Sequence, residues 1–208
     1  MNLPDPPLLV ISDRSQARLP LIGIAEAVFR GGCRWFSLRE KDLPAAERRV
    51  LLADLVELGR PFGALVMAHD DIDAVEAVGA GGVHLPGRSD PGIARRHLPQ
   101  GLIGVSAHSA LEAAAQLRAG ADYVTLSPIF LTDSKPGYGP ALGFDALAAA
   151  AAKAPGPIVA LGGITPHNAA ACLAAGARGV AVMGEIMRAA DPEATIRQLL
   201  AALSLKRK

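Results

Sequence analysis

GARGVAVM, residues 176–183, shows a pattern that runs through the whole chain: a glycine, two small or polar residues, and a short apolar run. The same pattern occurs in GADYVTL (120–126), in GAGGVHL (79–85) and in GGCRWFSL (31–38). A glycine of this kind is typical of the point where a helix ends, and the apolar run that follows is typical of a strand. The four copies therefore predict strands that each follow a helix.

Further apolar runs lie between these copies: LLVISD from residue 8, ALVMAHDD from 64, LIGVSAH from 102 and IVALGG from 158. Alanine- and leucine-rich stretches such as SALEAAAQLRAG (109–120) separate the runs, with a serine to cap the helix and a glycine to end it. Apolar strands that alternate with single helices indicate a parallel sheet covered by helices. The eight units predict one α/β domain over residues 1–208, a (β/α)8 TIM barrel spanning about 8–203.

The alternation of strands and helices also leaves another fold open. A doubly wound open sheet, with helices on both faces, uses the same alternation. Here every predicted strand ends in polar or glycine residues. In a (β/α)8 barrel the active site lies at the carboxyl ends of all strands, so this distribution favours the barrel.

The composition narrows the class of partner. The 208 residues are 50% hydrophobic, and 21 lysines and arginines nearly balance 20 acidic residues. Binding to nucleic acid or to an anionic membrane would require a basic excess, so we expect a small-molecule partner. Two cysteines without metal-ligand spacing indicate a reduced, cytoplasmic compartment. No run approaches the roughly 20 apolar residues of a membrane span, and homo-oligomer formation stays open.

Cationic and hydroxyl side chains collect at the ends of the predicted strands and in the loop after the sixth strand. In a barrel these positions converge on one mouth. Such donors together favour a bound phosphate or diphosphate. The group comprises Arg39, Lys41, Ser106, Thr132, Ser134 and Lys135. We therefore predict a phosphorylated small-molecule substrate.

A second anion site is predicted after the seventh strand, where Gly162 and Gly163 precede Ile164-Thr165-Pro166. Glycines let backbone amides approach a ligand, and the positive end of the following helix would point to the same place. The loops after strands 7 and 8 of such barrels frequently bind phosphate. Together the two groups of residues predict two phosphate-binding sites.

Asp70 and Asp71 add two carboxylates to this basic mouth, at the end of the third strand. Oxygen-ligated Mg2+ readily bridges a carboxylate to a diphosphate, whereas the alternative role for either residue is to cap the next helix. We expect Asp71 to be a cap and Asp70 to be a cap or a metal ligand. Among the histidines, we expect His84 to be a hydrogen-bonded barrel residue, and His69 to be the candidate for function.

The motifs of the second to eighth strands occur in a characteristic order: SLREK (37–41), HDD (69–71), GVHL (82–85), GVSAH (104–108), SPIF with Thr132, Ser134 and Lys135 (127–135), GGIT (162–165) and GVAVMG (179–184). This ordered set resembles the thiamine phosphate synthase family and its relatives, the TenI-type thiazole tautomerases. The resemblance covers about residues 8–200. It implies a TIM-barrel enzyme of thiamine biosynthesis.

For a synthase, the resemblance implies a transferase that condenses hydroxymethylpyrimidine diphosphate with hydroxyethylthiazole phosphate, giving thiamine phosphate and pyrophosphate with Mg2+ as cofactor. It implies that Arg39, Ser106 and Lys135 are catalytic. The substrate-binding residues that it implies are Arg39, Lys41, His69, Ser106, Thr132, Ser134, Lys135, Gly163, Met183 and Gly184. Asp70 would bind the metal.

The sequence departs from the family pattern at several positions. Ser37 stands where the family usually has Gln, and His69 where it usually has Asn. The second metal aspartate of the family falls on Ser89, so Asp90, one residue later, is the second metal candidate. Pro128 occupies the position where the tautomerases can carry a catalytic histidine, and this favours the synthase.

Other functions stay open on the sequence alone. A thiazole tautomerase or a non-catalytic relative that binds thiamine phosphates would share most of these motifs. A different phosphate-binding barrel, such as an isomerase or epimerase, would need an acid–base pair, which Asp13 with His69 or Asp70 could supply. Only the synthase would release pyrophosphate in a Mg2+-dependent reaction.

Overall fold

The computed structural model describes residues 3–132 and 139–204. In these ranges eight parallel strands form a closed barrel, in which each strand pairs with the next in sequence and β8 pairs with β1. The strands are β1 (Leu8–Ile11), β2 (Trp35–Leu38), β3 (Leu65–His69), β4 (Gly82–Leu85), β5 (Leu102–Ala107), β6 (Tyr123–Leu126), β7 (Ile158–Leu161) and β8 (Gly179–Val182). The predicted (β/α)8 barrel is confirmed, and its closure excludes an open sheet.

Helices cover the outside of the barrel. They are α1 (Leu21–Arg30), α2 (Ala45–Gly59), α3 (Ile72–Val78), α4 (Pro91–His97), α5 (Ala110–Arg118), α6 (Gly143–Lys153), α7 (Ala169–Ala174), α8 (Gly184–Met187) and α9 (Pro192–Ser204). Short 3-10 turns follow β1 and α2, at Arg14–Gln16 and Arg60–Phe62. None of the helices in the described ranges combines the length and the apolar character needed to cross a membrane.

The predicted helix caps are present. Asp71 precedes α3, and its side chain accepts a hydrogen bond from the backbone N–H of Ala74 at 3.0 Å. Ser109 precedes α5, and its Oγ accepts from the backbone N–H of Glu112 at 3.1 Å. A side-chain acceptor at this position satisfies a backbone donor that has no partner within the helix, so both caps stabilise the helix start.

The core has two layers, because successive side chains of a strand point to opposite sides. In β1, Leu8 and Val10 pack outward against the helices, whereas Leu9 and Ile11 belong to a separate cluster inside the barrel. Both sides of β1 are therefore buried, which explains why its four residues are all apolar. Cys33 and Cys172 are both buried and have free thiols.

Tyr123 and Trp35 fill much of the barrel interior, with ring centroids 4.8 Å apart in an edge-to-face arrangement. Room for Tyr123 depends on Gly104 in the neighbouring strand β5. A Cβ atom at residue 104 would lie only 2.1 Å from the Tyr123 ring. The glycine of the GVSAH motif thus allows an aromatic side chain to lie under the mouth of the barrel.

Candidate active site

A cavity of about 410 Å3 opens at the carboxyl ends of the strands. Its wall contains each residue that was predicted to bind substrate and that the structure describes: Arg39, Lys41, His69, Ser106, Thr132, Gly163, Met183 and Gly184. The other two, Ser134 and Lys135, lie outside the described residues. The barrel thus brings these positions to one mouth, as the strand-end rule predicts. The role of each residue stays a prediction.

The end of β2, which carries Arg39, is held by neighbours from the end of β1. The backbone N–H of Arg39 donates to Ser12 Oγ at 2.8 Å. The next residue, Glu40, is only 2% exposed, and its two carboxylate oxygens accept from the backbone N–H of Arg14 at 3.1 and 3.0 Å. Burial raises the pKa of Glu40 above its usual value, although hydrogen bonds from Ser12 and Arg14 oppose this rise. The backbone at Arg39 therefore has a well-defined position.

Asp13 lies beside Arg39, with 3.9 Å between Asp13 Oδ2 and Arg39 Nη1. Its carboxylate also accepts hydrogen bonds from Ser15 Oγ at 2.5 Å and from Gln16 Nε2 at 2.6 Å. Partial burial alone would raise the pKa of Asp13, but these hydrogen bonds and the charge of Arg39 outweigh it and lower the pKa. An ionised Asp13 thus connects the turn after β1 to a cation of the cavity wall.

His84 lines the cavity and hydrogen-bonds two hydroxyl groups, which confirms the prediction that it is a hydrogen-bonded barrel residue. Its Nδ1 lies 2.9 Å from the Tyr123 hydroxyl, and its Nε2 lies 3.0 Å from Ser106 Oγ. Complete burial, together with the positive charge of Arg39, lowers the pKa of His84 to about 3. The ring is therefore neutral near pH 7, and it orients the Ser106 hydroxyl in the cavity wall. The His69 ring lies against it, with centroids 5.0 Å apart.

The loop after β7 has the geometry of a backbone cradle. Gly162 and Gly163 have φ angles of 100° and 62°, in the region that favours glycine. A Cβ at residue 163 would lie 2.6 Å from the Leu131 carbonyl oxygen, so the loops after β6 and β7 approach each other closely there. Asn168 braces the turn, since its Nδ2 donates to Gly163 O at 2.9 Å and its Oδ1 accepts from Thr165 N at 2.8 Å.

The helix after these glycines differs from the sequence-based expectation. We expected a helix start next to Gly163 that would contribute a positive dipole end. Instead, α7 begins at Ala169 and has only 6 residues, because the bracing turn at Thr165–Asn168 comes first. Backbone amides of the glycine turn, rather than a long helix, are the donors available for an anion at this point.

The two candidate metal ligands lie at the ends of neighbouring strands, but neither is among the residues that line the cavity. Asp70 is exposed and has a φ of 57°, and its backbone N–H donates to His84 O at 2.9 Å. Asp90 caps α4, with Oδ1 accepting from Gly92 N at 2.8 Å. Within the described ranges, no group of three or more His, Cys, Asp or Glu side chains could hold a metal ion. Mg2+ commonly uses one or two carboxylates together with substrate phosphates, so the metal roles of Asp70 and Asp90 stay predictions.

The cavity also contains residues that the sequence analysis did not select. Arg188, which directly follows the short α8, lines the same cavity as Gly163 and Gly184. Arg188 lies four residues after Gly184, so a helical turn after β8 places the two residues on the same face. This spacing could have identified Arg188 as a residue of the cavity. His108 is exposed and also lines the mouth, with Nδ1 2.9 Å from Ser127 O.

Comparison with known proteins gives consistent matches. Residues 8–186 match the family model of thiamine monophosphate synthase. A thiamine-phosphate synthase of Moorella thermoacetica is 38% identical over 193 residues, covering 92% of each chain. One of Methanoculleus marisnigri is 40% identical over 198 residues, again covering 92% of each. The solved structure of thiamine phosphate pyrophosphorylase from Pyrococcus furiosus superposes with a TM-score of 0.86 at 30% identity, and covers 95% of each chain.

Proposed function

Because this chain belongs to the thiamine monophosphate synthase family and is a transferase of that kind, we propose that its barrel-mouth cavity is where thiamine phosphate forms. The substrates are hydroxymethylpyrimidine diphosphate and hydroxyethylthiazole phosphate, and Mg2+ is the cofactor. The observation that carries this assignment is the presence of two separate groups of anion-binding donors in one cavity. Arg39 and Lys41 follow β2, whereas Gly163 and Gly184 belong to the loops after β7 and β8.

This arrangement supports the binding of two phosphorylated substrates side by side. The cations after β2 would bind the diphosphate, because guanidinium and ammonium groups form charge-assisted hydrogen bonds to phosphate oxygens. The backbone cradle after β7 and β8 would bind the single phosphate of the thiazole. Thr132, which lines the cavity at the end of the loop after β6, would contact the thiazole substrate between them. Ser134 would do so as well.

The reaction needs no nucleophile from the protein. The bond between the pyrimidine methylene carbon and the diphosphate oxygen breaks, and its electron pair leaves with the diphosphate. The thiazole nitrogen then donates its lone pair to the same carbon and forms the new C–N bond. Catalysis therefore depends on holding the two rings together and on stabilising the charge of the departing group.

The roles of individual residues follow from this requirement. Arg39, Lys41 and Lys135 would stabilise the negative charge that grows on the leaving diphosphate. Ser106, oriented by the neutral His84, would hydrogen-bond the pyrimidine substrate. His69 would contact the same ring from the end of β3. Mg2+ held by Asp70 and Asp90, when bound, would neutralise part of the diphosphate charge.

Two observations bear on the alternative reactions. Pro128 lies in the cavity wall where a tautomerase can carry its catalytic histidine, and proline offers no proton-transfer group there. An isomerase using Asp13 as a base is disfavoured, because Asp13 is not among the lining residues and its pKa is lowered by its hydrogen bonds and by Arg39. Proximity to the substrate is the first requirement for a general base.

Pyrophosphate release from the purified protein tests the proposal. We expect release that requires both substrates and Mg2+, and that falls by about 100-fold or more in Arg39→Ala, as expected when a group that stabilises transition-state charge is lost. Lys135→Ala should have a similar effect. Arg96→Ala, which replaces an exposed arginine of α4, is the matched control and should retain wild-type release. Absence of release from the wild-type protein, with tight binding of the thiazole phosphate alone, would support a non-synthetic relative instead.

A further inference from the structure

We propose that Glu40 is a positioning residue for diphosphate binding: its buried carboxylate holds the chain after β2 so that the side chains of Arg39 and Lys41 face the cavity. This inference rests on the proposed function, because it takes these two cations as groups that bind the diphosphate. Glu40 itself would touch no substrate and would act through its two neighbours.

The side-chain directions of residues 39–41 support this role. Arg39 and Lys41 line the cavity, whereas Glu40 is not among the described residues of its wall and is only 2% exposed. Successive side chains along a strand point to opposite sides, so Glu40, directly after β2, points away from the cavity where Arg39 points into it. In the described ranges the pairing of β2 with its neighbours ends at Leu38, so the residues that follow need other contacts to stay in place.

Hydrogen bonds join the Glu40 carboxylate to the turn after β1. Its Oε1 and Oε2 accept from the backbone N–H of Arg14 at 3.1 and 3.0 Å. Ser12 Oγ accepts from the backbone N–H of Arg39 at 2.8 Å, and its hydroxyl donates to the Glu40 carboxylate. The backbone of Arg39 and the side chain of Glu40 are thus tied to one short segment, residues 12–14.

The Arg14 side chain extends this anchor to the other side of Lys41. Its Nε lies 3.8 Å from Glu40 Oε2, and its Nη2 donates to Asp42 Oδ2. Lys41 therefore lies between two residues that both contact Arg14. A cation whose backbone is held on both sides loses less conformational freedom when it binds an anion, so these contacts favour binding.

A carboxylate suits the position of Glu40 better than a neutral amide does. Donors approach it from the Arg14 backbone and from the Ser12 hydroxyl, and an ionised carboxylate only accepts hydrogen bonds. Glutamine would place an NH2 group, which is a donor, beside one of these donors. The Arg14 side chain also supplies a positive charge near Glu40, so the carboxylate has a charged partner that is not one of the described residues of the cavity wall.

A purely structural role for Glu40 is the alternative. The same contacts join the chain after β1 to the chain after β2, so their loss would also lower the stability of the barrel. General destabilisation would weaken the binding of both substrates alike. A positioning role instead predicts a selective loss at the diphosphate site, because the thiazole phosphate is assigned to the backbone cradle after β7 and β8. The test must therefore compare the two ligands.

Calorimetric titration provides this comparison. Inorganic pyrophosphate with Mg2+ probes the diphosphate site, and hydroxyethylthiazole phosphate probes the other site. We expect Glu40→Ala to weaken pyrophosphate binding about 10- to 100-fold, as replacement of residues that orient ligand-binding groups commonly does. The affinity for the thiazole phosphate should change by less than about twofold, since separate sites respond almost independently. Glu40→Gln keeps the size of the side chain and one acceptor oxygen, so it should retain part of the pyrophosphate affinity.

Ser12→Ala is a milder second variant. It leaves Glu40 in place and removes the hydroxyl that joins the carboxylate to the backbone of Arg39, so we expect an intermediate loss of pyrophosphate binding. Steady-state kinetics of Ser12→Ala and Glu40→Gln should show a raised KM for the pyrimidine diphosphate and an unchanged KM for the thiazole phosphate. These two variants decide the question if Glu40→Ala does not fold.

The matched control is Asp122→Ala. Asp122 directly precedes β6, at the opposite end of the barrel, and its carboxylate makes the same kind of contacts. Its Oδ2 accepts from the backbone N–H of Ile103 at 2.8 Å and from Arg95 Nη2 at 2.6 Å. The loss of this carboxylate should lower the melting temperature, as the loss of Glu40 should, but preserve pyrophosphate binding. Thermal unfolding compares the stability of all variants.

The outcomes separate this inference from the proposed function. An unchanged pyrophosphate affinity in Glu40→Gln and Ser12→Ala, or an equal loss for both ligands, would overturn the role of Glu40 even if the wild-type protein forms thiamine phosphate. A similar loss of pyrophosphate binding in Asp122→Ala would overturn it as well. Conversely, pyrophosphate binding that depends on Glu40 in a protein that forms no thiamine phosphate would retain the positioning role and reject the synthase.

Discussion

His84 shows how one buried side chain of the cavity lining can orient the groups beside it. It links Tyr123, in the closed interior, to Ser106, at the end of β5. A neutral imidazole can donate from one nitrogen and accept at the other, so it can satisfy two hydroxyl partners in a buried site. Protonation would place an unbalanced charge inside the barrel near Arg39, which explains why the pKa is lowered so strongly.

This lowered pKa predicts a specific loss of stability in acid. The pKa of His84 is about 3 in the folded protein, against an ordinary value of 6.5. Below pH 6.5 the unfolded chain binds a proton at this residue that the folded protein does not bind. The free energy of unfolding should therefore fall by up to roughly 1.4 kcal/mol per pH unit from this residue alone as the pH falls towards 3. Above pH 6.5 the contribution should be constant.

Urea unfolding between pH 7 and pH 5 measures this effect. His84→Gln retains hydrogen-bonding capacity but does not titrate, so the variant should lose stability less steeply than the wild-type protein over this range. His167→Gln, which replaces an exposed histidine, controls for the substitution itself. Equal slopes for the wild-type protein and His84→Gln would show that the folded protein accommodates the charge.

At the scale of the secondary structure elements, the loops that follow β3 and β4 contain both helix caps and predicted metal ligands. Asp71 and Asp90 both cap helices, and the predicted metal ligands Asp70 and Asp90 belong to the same two loops. A carboxylate can cap through one oxygen while its other oxygen meets a ligand, since each oxygen has its own lone pairs. The cap and the metal role of Asp90 can therefore be separated by experiment.

Asp90→Asn makes this separation. Asparagine caps helices about as well as aspartate, so the free energy of unfolding should change by less than about 0.5 kcal/mol. The Mg2+ concentration for half-maximal pyrophosphate release should rise by about tenfold or more, because even less direct changes around metal sites cost 10- to 100-fold. Asp71→Asn is the matched control, since Asp71 is a cap that pairs with Arg48 at 3.2 Å and has no predicted metal role.

The same assay discriminates between neighbouring residues of the loop after β4. An unchanged Mg2+ requirement in Asp90→Asn would remove Asp90 from the metal site. If Ser89→Ala raised the requirement instead, the residue that aligns with the family's second aspartate would be the one that contacts the ion or its water.

At the scale of the whole molecule, the closed barrel buries both cysteines in one continuous outer core. Cys33 Sγ lies 3.1 Å from Leu8 O, and Cys172 belongs to the same cluster between the strands and the helices. Burial raises the pKa of Cys33 to about 12 and that of Cys172 to about 11. Since the thiolate is the reactive form, both groups should be inert in the folded protein.

A thiol-reactive dye tests whether the barrel opens as a unit. We expect no labelling of the native protein within the dead time of the assay, and labelling of both cysteines along the same urea transition that far-UV circular dichroism reports. Fully unfolded protein provides the reference for complete reaction. Rapid labelling of one cysteine in native buffer would reveal local opening of the helix that covers it, and would contradict cooperative closure.

Much of the fold and part of the site were predictable from particular local signals. The glycine before each of β2, β4, β6 and β8 and the apolar runs defined the strands, and the residues after them indicated the mouth. Asp71 and Ser109 were recognisable as caps because capping involves residues three positions apart. The start of α7 was misplaced, since the bracing contacts of Asn168 with Gly163 and Thr165 were not anticipated.

The sequence by itself determined the number and order of the strands, the class of fold, and the residues that follow each strand, because these depend on short-range patterns of apolar residues and turns. Only the tertiary structure decided which side chains meet. Arg188 and Gln16 are 172 residues apart, and they are brought together because β8 pairs with β1 when the barrel closes. The contact between His84 and Tyr123 likewise depends on strands β4 to β6 lying side by side, with Gly104 leaving space between them. Contacts of this kind follow from closure of the whole sheet, and a local sequence pattern contains no signal for them.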